Sequence, residues 1–137
     1  MRKVKKDIFK TYTKRISNAV LTGEMHYKTT YKDINKFFNI FNKALFKNKL
    51  IPFNDIKIRK MNKTWGQFVE VFNNRKKTVS YELEMLEEYP NKKQFLSTLA
   101  HECIHYSQIL LKKGNVAHNK YFYSFKSKFK KLKLHLN

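Results

Sequence analysis

His101-Glu102-Cys103-Ile104-His105 places two imidazoles four residues apart, with a carboxylate beside the first. On a helix, residues four apart share a face, so both rings can reach one ion. Zinc suits such a pair: it binds imidazole nitrogen at about 2.0–2.1 Å and, in catalytic sites, keeps one position open for water. Glu102 then lies beside that water rather than on the metal. There it can take the proton as water attacks a carbonyl and pass it to the leaving amine. The chemistry this pentapeptide suggests is amide hydrolysis, with His101 and His105 as metal ligands and Glu102 as the catalytic base.

Elimination narrows the third ligand. A thermolysin-like site needs a downstream carboxylate, yet Glu102 is the last acidic residue of the chain. A metzincin needs Gly at 108 and His at 111, where this sequence has Gln108 and Leu111. His118 and His135 remain. His118 follows a turn at Gly114 that lets the chain fold back to the metal, whereas His135 is expected to be exposed. His118 is the expected third ligand.

Two helices must hold these groups. Asn91 with Gln94 offers an N-cap pair, and Gly114 a stop, for a zinc helix over 91–113. Phe122, Phe125, Phe129 and Leu132, spaced by three and four, predict a basic C-terminal helix over 119–135. Upstream, Val4, Ile8, Tyr12, Ile16 and Val20 form a stripe on a basic amphipathic helix over 1–23, ended by Gly23. Thr30 caps a second helix with Asp33 three residues on, and Ile34, Phe37, Phe38, Phe41, Ala44 and Leu45 form its buried face. Between the helix pairs, Ile56–Ile58, Phe68–Val71 and Thr78–Tyr81 alternate like strands. Glu82, Glu84, Glu87 and Glu88 are expected on a solvated helical turn. The expected order is α-α-β-β-β-α-α, with no repeat and no domain boundary.

Length and composition fit one packed domain. The chain has 137 residues, 42% hydrophobic and 15% aromatic, enough for a core and too short for two. Lys and Arg number 30 against 10 Asp and Glu, a net charge of +20. The basic residues are 26 Lys and 4 Arg, with 13 Asn, a bias toward AT-rich codons that does not explain the scarcity of acids. Seven basic residues lie in 2–15, and eight lysines with no acid lie in 103–137. Such tracts favour a polyanion, and lysine contacts phosphate without reading bases. Non-specific DNA binding is therefore expected, with exposed aromatics favouring single strands or junctions. The single cysteine, Cys103, excludes an internal disulfide and a multi-Cys zinc ribbon. It lies about 200° round the helix from His101 and reads as a buried thiol. No apolar run suits a membrane span or signal peptide, so an intracellular, non-secreted protein is expected.

The segment from Phe41 to Phe129 resembles SprT-like zinc metallopeptidases, the group that includes Spartan. The matching features begin with Phe41-Asn42-Lys43-Ala44-Leu45-Phe46 at a helix end, then Trp65-Gly66 and Thr78-Val79-Ser80. After these come Leu99-Ala100 leading into the His101–His105 motif, and His118-Asn119-Lys120-Tyr121-Phe122. The last resembles the family's H-G-x-x-F, whose His is the third zinc ligand, with Asn119 in place of glycine. The resemblance implies a zinc-dependent protease fold, often acting on proteins bound or crosslinked to DNA. The Cys-rich zinc ribbon of many relatives has no counterpart here, so DNA targeting by that module is not carried over. Residues 1–137 then form one SprT-like domain of α+β class, a small zincin-like domain with helices packed on a short three-stranded sheet.

Other residues admit plainer readings. Trp65 with Gly66 is either a packed aromatic beside a turn or, by the resemblance, part of the substrate edge. Tyr106, Tyr121 and Tyr123 are candidates for a hydrogen bond to the developing oxyanion, and the sequence does not choose among them. His26 reads as a surface histidine. Two rival functions stay open: a basic nucleic-acid-binding or virion protein that keeps zinc as a staple, and a peptidase whose charge steers acidic substrates or membranes. An intact Glu102 counts against the staple, which needs no base and is usually closed by a fourth ligand.

Overall fold

The computed structural model describes residues 3–22 and 26–136. Its elements are α1 (Lys3–Thr22), β1 (Tyr27–Lys28), α2 (Tyr31–Phe46), β2 (Asp55–Ile58), β3 (Gly66–Asn73), β4 (Thr78–Met85), β5 (Glu88–Tyr89), α3 (Lys92–Leu110), α4 (Lys120–Tyr123) and α5 (Lys126–Lys131). The fold is α+β, as expected, with the three central strands in order β2-β4-β3. β2 runs parallel to β4 and β3 antiparallel to it. A two-stranded ribbon of β1 and β5, too short to show as alternation, pairs Tyr27 with Tyr89.

Local chemistry sets the helix starts. Thr30 accepts the Asp33 amide at 3.1 Å, and Asn91 accepts the Gln94 amide at 2.8 Å, so both expected caps form. The expected face of α2 is buried, from Ile34 to Leu45. α3 is central, with buried residues on every turn from Phe95 to Gln108. It packs against α1, α2 and β3, and the core gathers around Phe41, Leu83, Phe95, Leu99, Ile104 and Phe129. Among the described residues no helix is long and apolar enough to cross a membrane. The Gly23 stop and the Val4 and Ile8 side chains lie outside the described residues.

Four expectations need correction. The helix expected over 119–135 is two short ones, α4 and α5. The Ser124 hydroxyl donates to the Tyr121 carbonyl at 2.5 Å, the acceptor the Phe125 amide would use, and that amide turns to Phe122 at 3.3 Å. The apolar spacing survives the break, since Phe122, Phe125, Phe129 and Leu132 are all buried. Glu82 and Glu84 lie on β4 and Glu88 on β5, not on a helical turn. Glu82 and Glu84 pair with Lys57 and Arg59, and Glu88 lies 3.2 Å from His26 Nε2. α3 ends at Leu110 rather than at 113. The left-handed residue beyond it is Lys113, with φ 53°, while the Gly114 amide closes onto the Gln108 carbonyl. His135 is half-buried rather than exposed: its amide donates to Ser97 Oγ at 3.3 Å and its Nε2 lies 3.2 Å from Gln94 Oε1.

Gly66 seats the sheet on α3. A Cβ there would lie 2.6 Å from Thr98 Cγ2 and 3.4 Å from the Glu84 carbonyl oxygen, so this glycine is required for space rather than for a positive φ. The Trp65–Gly66 corner is pinned by the Tyr89 hydroxyl, which donates to the Trp65 carbonyl at 2.6 Å. Gly66→Ala is expected to cost about 1–3 kcal/mol by overpacking. Thr98→Ser removes the obstructing methyl but keeps a hydroxyl for Gln94, and should restore most of that loss. Urea unfolding of the two single variants and the double variant measures it.

Candidate metal centre

α3 presents His101 and His105 one turn apart, with His101 Nε2 3.1 Å from His105 Nε2. Two nitrogens at about 2.0–2.1 Å from a tetrahedral ion would be roughly 3.3 Å apart, so the pair is spaced for one ion. The chain leaves α3, turns through Gly114 and returns His118 to the same place. The ligand atoms of His101, His105 and His118 all lie within 4.8 Å of one another, close enough to hold one metal ion. The donor set is three imidazoles with one side open, which fits a borderline metal able to keep a free position.

Phe122 is the floor of this cluster. Fully buried, its ring centre lies 4.9, 5.1 and 4.4 Å from those of His101, His105 and His118, nearly parallel to the last two. Asn119, standing where the resemblance expects glycine, accepts the Phe122 amide at 3.1 Å and so caps α4. That cap fixes the turn between His118 and Phe122.

Electrostatics favour neutral imidazoles at His101 and His105. Burial lowers the pKa of His101 to about 4, with His105 and His118 adding to the effect. His105 is lowered too, by burial first, although its hydrogen bond to Gln108 opposes the shift. Neutral imidazole is the form whose lone pair a metal needs. Glu102 is buried, with Oε2 3.9 Å from His101 Nε2. Burial raises its pKa to about 7, against a smaller lowering by the Phe68 backbone amide.

His101, Glu102 and His118 line a cleft of ≈ 310 Å³ with Trp65, Gly66 and His135. Trp65 is about half exposed on its wall, stacked on Tyr89 at 6.1 Å. The tyrosines separate: Tyr106 is wholly buried among Phe53, Phe68 and Tyr81, and Tyr121 is bonded to Ser107. Tyr123 is exposed beside His118, with ring centres 6.3 Å apart. Cys103 is buried, and burial pushes its thiol far above the ordinary range. His26 is exposed, beside Glu88.

Two residues stand at the site without a role expected from the sequence. His135 faces the cleft from a segment expected to be peripheral, and nothing in its neighbours signals that. Gln108, a mismatch to the metzincin pattern, lies three residues after His105 and so on the same helix face.

No curated protein and no solved structure matches the chain. The SprT-like family model matches residues 34–136, a span that includes His101, Glu102, His105 and His118, and the chain belongs to the SprT-like family, a metallopeptidase-like domain.

Proposed function

We propose that this protein is a zinc metallopeptidase in which His101, His105 and His118 hold the metal and Glu102 is the catalytic base. One observation carries the reading: three imidazoles converge beside a buried carboxylate on the wall of an open cleft. Bound zinc supplies Lewis acidity toward a carbonyl and toward water. The rest is the chain's own work. Glu102, with a pKa near neutrality, accepts a proton from the attacking water and returns it to the departing amine nitrogen. β3 is one of the two edge strands of its sheet and begins at the cleft, a position from which an extended peptide can add to the sheet edge. A buried base beside an open site counts against zinc as a mere staple.

The substrates in this reading are proteins on DNA, held near the site by a second, basic cleft. That cleft, ≈ 840 Å³, is lined by Lys93, Lys126, Lys130 and Lys133 with exposed Tyr123, and His135 lines both clefts. Lysines bind backbone phosphate without sequence preference, and Tyr123 offers a face for an unpaired base. Replacing Lys126, Lys130 and Lys133 by glutamine is expected to weaken single-stranded DNA binding and reduce the slope of log K against log salt by about 2. Fluorescence anisotropy at several salt concentrations measures it, and an unchanged slope removes this cleft from the reading.

Cleavage of a DNA-binding protein by the zinc-loaded enzyme, with and without single-stranded DNA, tests the whole. Chelator-sensitive cleavage that DNA stimulates supports both parts. Cleavage indifferent to DNA keeps the peptidase and removes the polyanion. Unfolding on chelation without any cleavage favours the structural staple.

A further inference from the structure

We propose that Gln108 is a positioning residue that fixes the proton of His105 and the loop carrying His118 at the same time, so that the metal centre is assembled before the metal arrives. This rests on the metal-centre reading of the three histidines. Gln108 is 2% exposed and sits one turn after His105 on α3. Its Oε1 accepts His105 Nδ1–H at 2.8 Å and the Ala117 amide at 3.2 Å. Its Nε2 donates to the Ala117 carbonyl at 2.7 Å and to Asn119 Oδ1 at 3.2 Å. The side-chain amide thus uses both of its donors and both of its acceptor positions.

The polarity of this arrangement is determined by the Ala117 backbone. A peptide carbonyl only accepts and a peptide N–H only donates, so Gln108 Nε2 must face the one and Oε1 the other. With Oε1 placed, His105 Nδ1 has to carry the proton. Its Nε2 is then the lone-pair nitrogen, and it is the atom that lies 3.1 Å from His101 Nε2. A ligating histidine needs its second nitrogen held in this way to keep tautomer and ring orientation.

The same amide holds both neighbours of His118. Ala117 precedes the ligand and Asn119 follows it, and Asn119 Oδ1 also caps α4 through the Phe122 amide. The Gly114 amide adds a backbone tie to the Gln108 carbonyl at 2.9 Å. His118 itself is exposed on the surface, so its placement depends on these flanking residues. A loop ordered beforehand spares metal binding the entropic cost of ordering it.

The test uses the full chain, wild type and the variants Gln108→Met and Gln108→Glu. Methionine matches the volume and removes every hydrogen bond. Glutamate keeps an acceptor for His105 and the Ala117 amide but loses the donors to Ala117 and Asn119. Competition titration with Co²⁺ should show binding about 10–100-fold weaker in Gln108→Met, with a weakened tetrahedral d–d band, and intermediate affinity in Gln108→Glu. On metal-free protein, long-range ¹H–¹⁵N NMR of the imidazoles should show His105 as the Nδ1–H tautomer in wild type and Gln108→Glu. In Gln108→Met it should show a tautomer mixture. Wild-type affinity with unchanged tautomer in a folded Gln108→Met protein overturns the proposal. So does an Nε2–H tautomer in the wild type, which decides the matter even if the methionine variant does not fold. A wild type that binds no Co²⁺ at all instead removes the metal-centre reading, while the NMR still reports Gln108's hold on His105.

Discussion

Glu102→Gln protein is expected to bind metal as wild type does and to hydrolyse peptide bonds roughly 10²–10⁴-fold more slowly. The carboxylate is not among the three clustered ligands, so an amide of the same shape leaves the donor set intact. What it removes is the carboxylate beside the histidine cluster, at 3.9 Å from His101 Nε2. Single-turnover cleavage alongside zinc stoichiometry measures both quantities. Wild-type turnover in a clean variant preparation would end the role of Glu102, and loss of metal would make it a ligand instead. The metal-free protein gives an independent check. Because burial raises the Glu102 pKa from 4.5 to about 7, the folded state binds more protons than the unfolded state between those values. Its contribution to stability therefore falls as pH rises through that window. Chelated Glu102→Gln should match wild type near pH 4 and be more stable by roughly 3 kcal/mol above pH 7.

Phe122→Ala is the variant expected to damage the fold most. The ring is fully buried and lies within 5.1 Å, centre to centre, of all three imidazoles. Truncation of a buried phenylalanine costs about 3–5 kcal/mol. Here the void opens directly beneath the ligands, so the rings can tilt into it and the metal affinity should fall with the stability. Phe122→Leu fills most of the volume and should recover more of the stability than of the affinity, because only a flat ring stacks on His105 and His118. Thermal unfolding of metal-free protein and a zinc-competition titration separate the two losses. A destabilised Phe122→Ala protein with wild-type affinity would make the ring a packing element alone.

Short-range chemistry was legible in the sequence, and long-range accommodation was not. The caps at Thr30 and Asn91, the face of α2 and the pairing of His101 with His105 each depend on residues within a few positions of one another. His118 was reachable because few candidates remained after the last acidic residue. Glu84 was misplaced because its burial depends on Arg59, twenty-five positions away and 2.8 Å distant. The single C-terminal helix expected over 119–135 is too long because apolar spacing reports which side chains are buried. It does not report whether a serine hydroxyl has taken a carbonyl from the ladder. Trp65-Gly66 was recognised as a pattern, but the reason for its glycine is the methyl of Thr98 on another element. His135 shows the same limit, since Gln94 and Ser97, far from it in sequence, bond it at the cleft.

The three histidines occupy a short run of chain, one turn of α3 and then His118 thirteen residues after His105. β2 and β4 must instead find each other across twenty-seven positions, Asp55 with Glu82. Closing a loop of about ten residues takes roughly 10–100 ns, and the entropic cost of closure grows with the intervening length. The histidine hairpin can therefore collect a metal ion while the sheet is still unpaired. An ion that also binds the denatured ensemble stabilises the native state by less than its native affinity implies. Metal added to refolding protein is therefore expected to raise the folding rate and leave the unfolding rate nearly unchanged, the signature of a site formed before the sheet.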